Sequence, residues 1–156
     1  VPGYERSLSR TARAAKRLDG RPGVRLKSTM PIEYTIDLEK RFIHTRVLGV
    51  IALKDIENFT DAVVAQNALT YRKLFDGSQG DGTYTDDDVM ALAARAAAYA
   101  TLAKKRGALA LVPKPGSGAE LAKRFINLGK FEGQARIFDT TEEALEWLER
   151  HPEGES

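Results

Sequence analysis

The stretch that decides the fold lies near the end of the chain and reads Ala135-Arg136-Ile137-Phe138-Asp139-Thr140-Thr141-Glu142-Glu143-Ala144-Leu145-Glu146-Trp147-Leu148. Its first five residues predict a short β-strand. The residues that follow predict an amphipathic helix, with Ala144, Trp147 and Leu148 at helical spacing. A helix that begins directly after a strand is typical of α/β proteins. The unit indicates the fold class, but it does not indicate a chemistry.

The same alternation extends back along the chain to Ile32. Apolar residues alternate with polar ones over 32–39, which predicts a strand with one solvent-exposed face. Lys40 and Arg41 form a tight turn, and 42–51 predicts a second strand, so the pair is expected to be an antiparallel hairpin. Strands predicted at 71–76, 108–112 and 135–139 each follow a helix, and they are expected to run parallel with right-handed crossovers.

Four helices are predicted, over 53–69, 85–107, 117–129 and 140–148. Thr85 is expected to cap the second of these with Asp88, and Gly107 to end it. The predicted apolar stripe of this helix is Val89, Leu92, Ala96, Tyr99 and Leu102. The sequence therefore predicts an α/β fold with a single five-stranded mixed sheet, in which only the first strand is antiparallel. The element order is β-β-α-β-α-β-α-β-α.

Length and composition exclude several kinds of chemistry. A chain of 156 residues suits one compact domain. The absence of cysteine excludes disulfides, thiolate metal sites and cysteine nucleophiles. No apolar run approaches the ~20 residues that a membrane-spanning helix needs. A cytoplasmic location is expected.

Charge is divided unevenly along the chain. Residues 1–29 carry eight basic and two acidic side chains, a net +6, so residues 30–156 carry −4 of the total of +2. We expect 1–29 to be a basic extension, 30–150 the folded domain and 151–156 a tail. The extension fits a translated upstream stretch before a start at Met30, a basic arm, a transit peptide or a plain solvated segment. Nucleic-acid binding by the acidic domain is not expected.

Three segments, Gly49–Ile56, Leu121–Phe125 and Arg136–Leu148, resemble a known family. Together with the element order they resemble the anti-sigma-factor-antagonist-like (STAS) fold, and most closely its SpoIIAA-like, STAS/Sec14-type branch of small bacterial proteins. The resemblance spans about 32–150. It implies strands in roughly sequential order. It also implies non-enzymatic roles, which are switching by protein contact in the antagonists and binding of apolar ligands in the Sec14 relatives.

The loop after the third predicted strand is the expected functional surface, because α/β folds place ligands at the carboxyl ends of parallel strands. In the antagonists a kinase phosphorylates a serine in an Asp-Ser-Ser-Gly-like segment at this place. Here the loop is longer and the motif is absent. The candidate phosphoacceptor or ligand residues are Asp76, Ser78, Thr83 and Thr85. The plainer alternative is a flexible connector followed by a helix cap at Thr85.

Other candidate sites are weaker. Ser117 and Gly118 open a helix where an anion can bind, although a capping box between Ser117 and Glu120 is the preferred explanation. The aspartates at 76, 81 and 86–88 do not match a Ca²⁺ loop, so no metal site and no cofactor are predicted. The two histidines, His44 and His151, are too far apart in sequence to argue for a catalytic or metal-binding set.

Three functions are therefore weighed. The first is a non-enzymatic interaction module that contacts a protein partner or a second copy of itself. The second is a carrier of a small apolar ligand or lipid, favoured by the Ala-rich helix 86–105, whose small side chains leave room beside a sheet. The third is an enzyme that uses the carboxylates of 76–88.

Overall fold

The computed structural model describes residues 25–28, 31–80, 84–103 and 106–151. Six strands lie in these ranges: β1 (Arg25–Ser28), β2 (Ile32–Asp37), β3 (Phe42–Val47), β4 (Arg72–Asp76), β5 (Leu109–Val112) and β6 (Ala135–Ile137). The four helices of the same ranges are α1 (Leu53–Ala65), α2 (Asp86–Tyr99), α3 (Ser117–Leu128) and α4 (Thr141–Glu149).

The strands form one sheet in sequential order, from β1 at one edge to β6 at the other. β2 and β3 are antiparallel, whereas β3, β4, β5 and β6 run parallel to one another. This confirms the predicted α/β class, the hairpin and the parallel series. Sequential order follows because each crossover helix returns the chain to the next position in the sheet.

The sheet also contains a sixth strand that the sequence analysis did not predict. β1 pairs antiparallel with β2, with Arg25 opposite Asp37 and Ser28 opposite Tyr34. It lies inside the range 1–29 that was assigned to the extension. An edge strand of four residues rich in basic side chains shows little apolar alternation, so its sequence does not indicate a strand. Residues 1–24 and 152–156 lie outside the described ranges, and the predicted division of the chain stays a prediction.

Two apolar cores lie on opposite faces of the sheet. On one face Ile36 and Ile43 pack with Phe59 and Val63 of α1. On the other face Leu74 packs with three residues of α4, namely Ala144, Trp147 and Leu148. Trp147 and Leu148 therefore seal a core, as expected from the closing segment of the sequence.

Two helices end earlier than predicted. α1 ends at Ala65 because Asn67 takes φ +55° and the Ala68 N–H donates to the Val63 carbonyl. α2 ends at Tyr99 because the next three N–H groups bond to carbonyls only three residues back. Leu102 consequently lies in a turn and is 62% exposed, so its predicted place in the core was wrong.

The predicted helix caps have different outcomes. Thr85 caps α2 as predicted, since its hydroxyl accepts from the Asp88 N–H at 3.1 Å and the Asp88 carboxylate accepts from the Thr85 N–H at 3.0 Å. The capping box at Ser117 and Glu120 was wrong. Gly116 is the N-cap of α3, at φ +87°, and its carbonyl accepts from the Ala119 and Glu120 N–H groups. Glycine tolerates this φ because it has no Cβ.

Candidate functional site

A cavity of about 300 Å³ lies between the sheet and helices α1, α2 and α3. Phe75 of β4 and Leu109 and Leu111 of β5 form its floor. These side chains point to the same face because alternate residues of a strand share a face, and β4 and β5 pair with Lys73 opposite Leu109 and Phe75 opposite Leu111. The opposite face of the same strands is filled by the core under α4.

The three helices supply the walls of the cavity with side chains at helical spacing. Phe59 and Val63 come from α1, Leu92 and Ala96 from α2, and Leu121 and Phe125 from α3. The stripe predicted for α2 thus faces the cavity at Val89, Leu92, Ala96 and Tyr99. Ala96 is 7% exposed, and its single methyl group fills less space than the Leu or Phe side chains on the other walls. This agrees with the expectation that the Ala-rich helix leaves room beside the sheet.

Lys73 is the unexpected feature of this cavity. It lies in the central strand β4, in a row across the sheet that is otherwise apolar and runs Ile36, Ile43, Lys73, Leu109 and Ala135. Its Nζ donates to the Leu69 and Tyr71 carbonyls, each at 2.7 Å. Burial, reinforced by the charge of Arg106, lowers the pKa of the Lys73 ammonium group to about 7.

The sequence analysis missed Lys73, although a signal was present. Arg72 and Lys73 are adjacent basic residues inside a strand. Because successive side chains point to opposite faces, a sheet covered by helices on both faces must bury at least one of the two. The structure buries the Lys73 side chain against the cavity, whereas Arg72 turns to the other face and donates to the Leu148 carbonyl at 3.2 Å.

Arg106 anchors the same end of the cavity. Its guanidinium donates to the Ala96 carbonyl at 2.6 Å, to the Gly129 carbonyl at 3.1 Å and to the Lys130 carbonyl. It also lies over the Phe131 ring, 4.3 Å from the ring centre. Burial lowers the pKa of Arg106. The side chain therefore ties the last turn of α2 to the segment after α3, which holds these two walls together.

The predicted loop residues are only partly brought together. Asp76 and Ser78 form a tight turn in which one Asp76 carboxylate oxygen accepts from the Ser78 N–H at 3.0 Å and from its hydroxyl at 2.6 Å. Thr85 is occupied as the cap of α2. Thr83 lies outside the described residues. Ser117 and Gly118 lie in the wall of the cavity, as does Gly77.

The acidic start of α2 is engaged in structural contacts. Asp88 belongs to the cap, and Asp86 forms an ion pair with Arg124 of α3. Among the described residues, no three His, Cys, Asp or Glu side chains are placed to share a metal ion. No helix in the described ranges is long and apolar enough to cross a membrane.

The face of β2 and β3 on the α4 side carries polar residues. Glu33 and Arg46 form an ion pair at 2.6 Å, and Thr35 and His44 are register partners beside them. Partial burial and the neighbouring Arg46 lower the pKa of His44. His44 is therefore a residue of the sheet face. His151 lies apart from it, against the ring of Trp147 and bonded to the Trp147 carbonyl.

Comparison with known proteins agrees with this architecture. No protein-family model matches the sequence, and a search of curated proteins gave no significant match. A search of solved structures found the crystal structure of an uncharacterized protein from the DUF3478 family with a SpoIIAA-like fold, from Shewanella loihica PV-4. The match has 21% sequence identity and a TM-score of 0.50, and it covers 78% of this chain and 97% of that chain. The chain therefore has a SpoIIAA-like, STAS-type α/β fold, as the resemblance of its sequence predicted.

Proposed function

We propose that this protein is a non-enzymatic STAS-like module that binds a small, mostly apolar ligand between its sheet and helices α1–α3. The observation that carries the proposal is the cavity of about 300 Å³. This volume is at the lower end of the range for small-molecule sites, which are concave and predominantly apolar. The wall residues Phe59, Leu92 and Phe125 supply that apolar lining. The apolar-ligand role implied by the sequence resemblance fits the same site.

The size of the cavity limits the class of ligand. A ligand with a single short chain or one ring system fits about 300 Å³, whereas a phospholipid with two long acyl chains does not. We therefore favour a small amphiphile or metabolite over a membrane lipid. The pair Asp76 and Ser78 is the nearest approach to a catalytic arrangement in the loop. It forms a turn, and no histidine or lysine of the described residues is hydrogen-bonded to it. This supports binding over catalysis.

Native mass spectrometry of the full-length protein, purified without detergent, tests the proposal. We expect a single bound species that is released on denaturation. Ala96→Leu places a larger side chain in the cavity and should abolish the bound species. Ala94→Leu makes the same change on the exposed face of α2 and should leave it unchanged. The proposal is contradicted if no species is bound and the protein also fails to bind decanol in calorimetry.

A second candidate function is contact with another copy of the protein through the loops that follow β3 and β4. Val50 is 72% exposed, the largest exposure among the large apolar residues of the described ranges. It follows Gly49, whose N–H donates to the Gln79 carbonyl at 3.2 Å, so Val50 flanks the Asp76–Ser78 turn. A second protein copy that covers Val50 would remove its apolar side chain from water, which favours contact at this point.

Sedimentation equilibrium tests this second candidate. We expect the wild type to form a dimer that Val50→Asp weakens. Leu102→Asp serves as the control, because Leu102 is similarly exposed but follows the end of α2, away from the loops after β3 and β4. A wild type that stays monomeric, together with no cross-linked protein partner in cell extract, would rule out the contact function.

A further inference from the structure

The charged side chains in the wall of the cavity all have the same sign. Among the described lining residues they are Lys73, Arg95, Arg106 and Lys114, and no aspartate or glutamate lines the cavity. Lys114 is exposed, whereas Lys73, Arg95 and Arg106 are partly buried. A site for a purely hydrocarbon ligand does not need partly buried cations, because removing a cation from water is costly unless a counter-charge accompanies it. The lining is therefore complementary to a ligand that carries a negative charge.

Lys73 differs from Arg95 in its partners. Arg95 is paired with Glu57 at 3.0 Å and with Asp61 at 2.8 Å on α1. Arg106, like Lys73, donates to neutral carbonyls, but its three carbonyl partners hold it between α2 and the segment after α3. Lys114 also takes part in another interaction. Lys73 has two neutral carbonyl partners and no carboxylate among the described residues, although an ammonium group has three donors.

The position of Lys73 matches the role of a ligand anchor. Its side chain stands on the floor of the cavity in a row of apolar residues, and two hydrogen bonds of 2.7 Å hold its Nζ in a fixed place. Its third donor has no partner among the described residues, so an oxygen of a ligand can accept from it. A charge-assisted hydrogen bond from an ammonium to a carboxylate is about twice as strong as a neutral one.

We propose that the ligand of this cavity is a single-chain or single-ring apolar molecule with one carboxylate group, and that Lys73 binds that carboxylate. The inference rests on the proposed function, since it names the ligand class for the same cavity. A carboxylate is favoured over a phosphate because a phosphate dianion requires more donors than Lys73 has free, and the arginines beside it are already engaged.

Isothermal titration calorimetry of the unmodified protein with three probes tests the inference. Decanoate, decanol and decylammonium have the same alkyl chain and differ in charge. The titrations are done at about pH 6, where Lys73 is charged and a carboxylate is ionised. We expect decanoate to bind at least about tenfold more tightly than decanol, and decylammonium to bind more weakly than decanol.

Two variants test whether Lys73 causes the preference. Lys73→Met keeps a long unbranched side chain without the charge, and it should abolish the difference in affinity between decanoate and decanol. Lys54→Met is the matched control, because Lys54 is exposed on α1, and it should change neither affinity.

The outcomes separate the two proposals. Equal affinities for decanoate and decanol in the unmodified protein overturn the carboxylate inference but leave ligand binding intact. No binding of any probe overturns both. Because the probe series uses the unmodified protein, its result stands even if Lys73→Met does not fold. A preference for decanoate that persists in a folded Lys73→Met variant overturns the assignment of Lys73.

Discussion

At the scale of single residues, Lys73 is the position where sequence and structure depart most. Strand β4 has the sequence Arg72-Lys73-Leu74-Phe75-Asp76, whose two adjacent basic residues conceal the alternation of faces. The functional surface was predicted in the loop that holds Asp76, Ser78, Thr83 and Thr85, because ligands often bind at the carboxyl ends of parallel strands. Lys73 was not predicted, since only the pairing of β4 with β3 and β5 shows that its side chain joins an apolar row.

The lowered pKa of Lys73 predicts a specific dependence of stability on pH. Its pKa is about 7 in the folded protein and near 10.5 when unfolded. Between these values the unfolded state binds one more proton than the folded state. The free energy of unfolding should therefore rise with pH in this window, by at most about 1.4 kcal/mol per pH unit. Below the window the contribution of Lys73 should no longer change with pH.

Urea unfolding at several pH values between about 7 and 10, for the wild type and Lys73→Met, measures this effect. The difference in unfolding free energy between the two should change in favour of the wild type as pH rises, and a constant difference would show that Lys73 keeps its ordinary pKa.

The other ionisable side chains lining the cavity are Tyr84, Arg95, Tyr99, Arg106 and Lys114. Burial raises the pKa of Tyr84 to about 12, which places its titration above the window.

At the scale of elements, the sequence predicted which helices and strands exist, and how the strands run, better than it predicted the residues at which they end. The five strands from β2 to β6 and all four helices were found, because apolar periodicity over five or more residues reports which face is buried. β1 was missed because an edge strand needs no apolar face. The end of α2 was misplaced because Gly107 was expected to end the helix, whereas the helix ends at Tyr99. Instead, the chain turns and Arg106 reaches back to the Ala96 carbonyl.

The two predicted caps give a matched test of helix starts. Thr85→Ala removes the acceptor of the Asp88 N–H, and we expect a loss of about 1 kcal/mol in the free energy of unfolding. Ser117→Ala should cost no more than about 0.5 kcal/mol, because the Gly116 carbonyl, and not the Ser117 side chain, accepts from the first N–H groups of α3.

Urea unfolding of both cap variants and the wild type measures the two losses. Equal losses would contradict the assignment of Gly116 as the N-cap of α3. A negligible loss for Thr85→Ala would contradict the reciprocal pair formed by Thr85 and Asp88.

At the scale of the whole molecule, the two faces of the sheet have different packing. The face under α4 is filled by Leu74, Trp147 and Leu148, and these residues are at most 5% exposed. The face under α1–α3 combines a packed part around Ile43 and Phe59 with the cavity. The closing segment Ala135–Leu148 indicated the fold from sequence because its helix packs on the filled face. A cavity is a property of three helices together, so no single segment of the sequence reports it.

Methyl chemical shifts in NMR spectra, recorded while decanoate is added, test the central claim most directly. If the ligand enters the cavity, methyl groups of Val63, Leu92 and Leu121 in its walls should shift with a common dissociation constant. The methyl chemical shifts of Leu74 and Leu148 on the filled face should not change. If the methyl chemical shifts of Leu74, Leu148 or the exposed Val50 change while those of the cavity residues do not, the ligand binds outside the cavity and the central claim is contradicted.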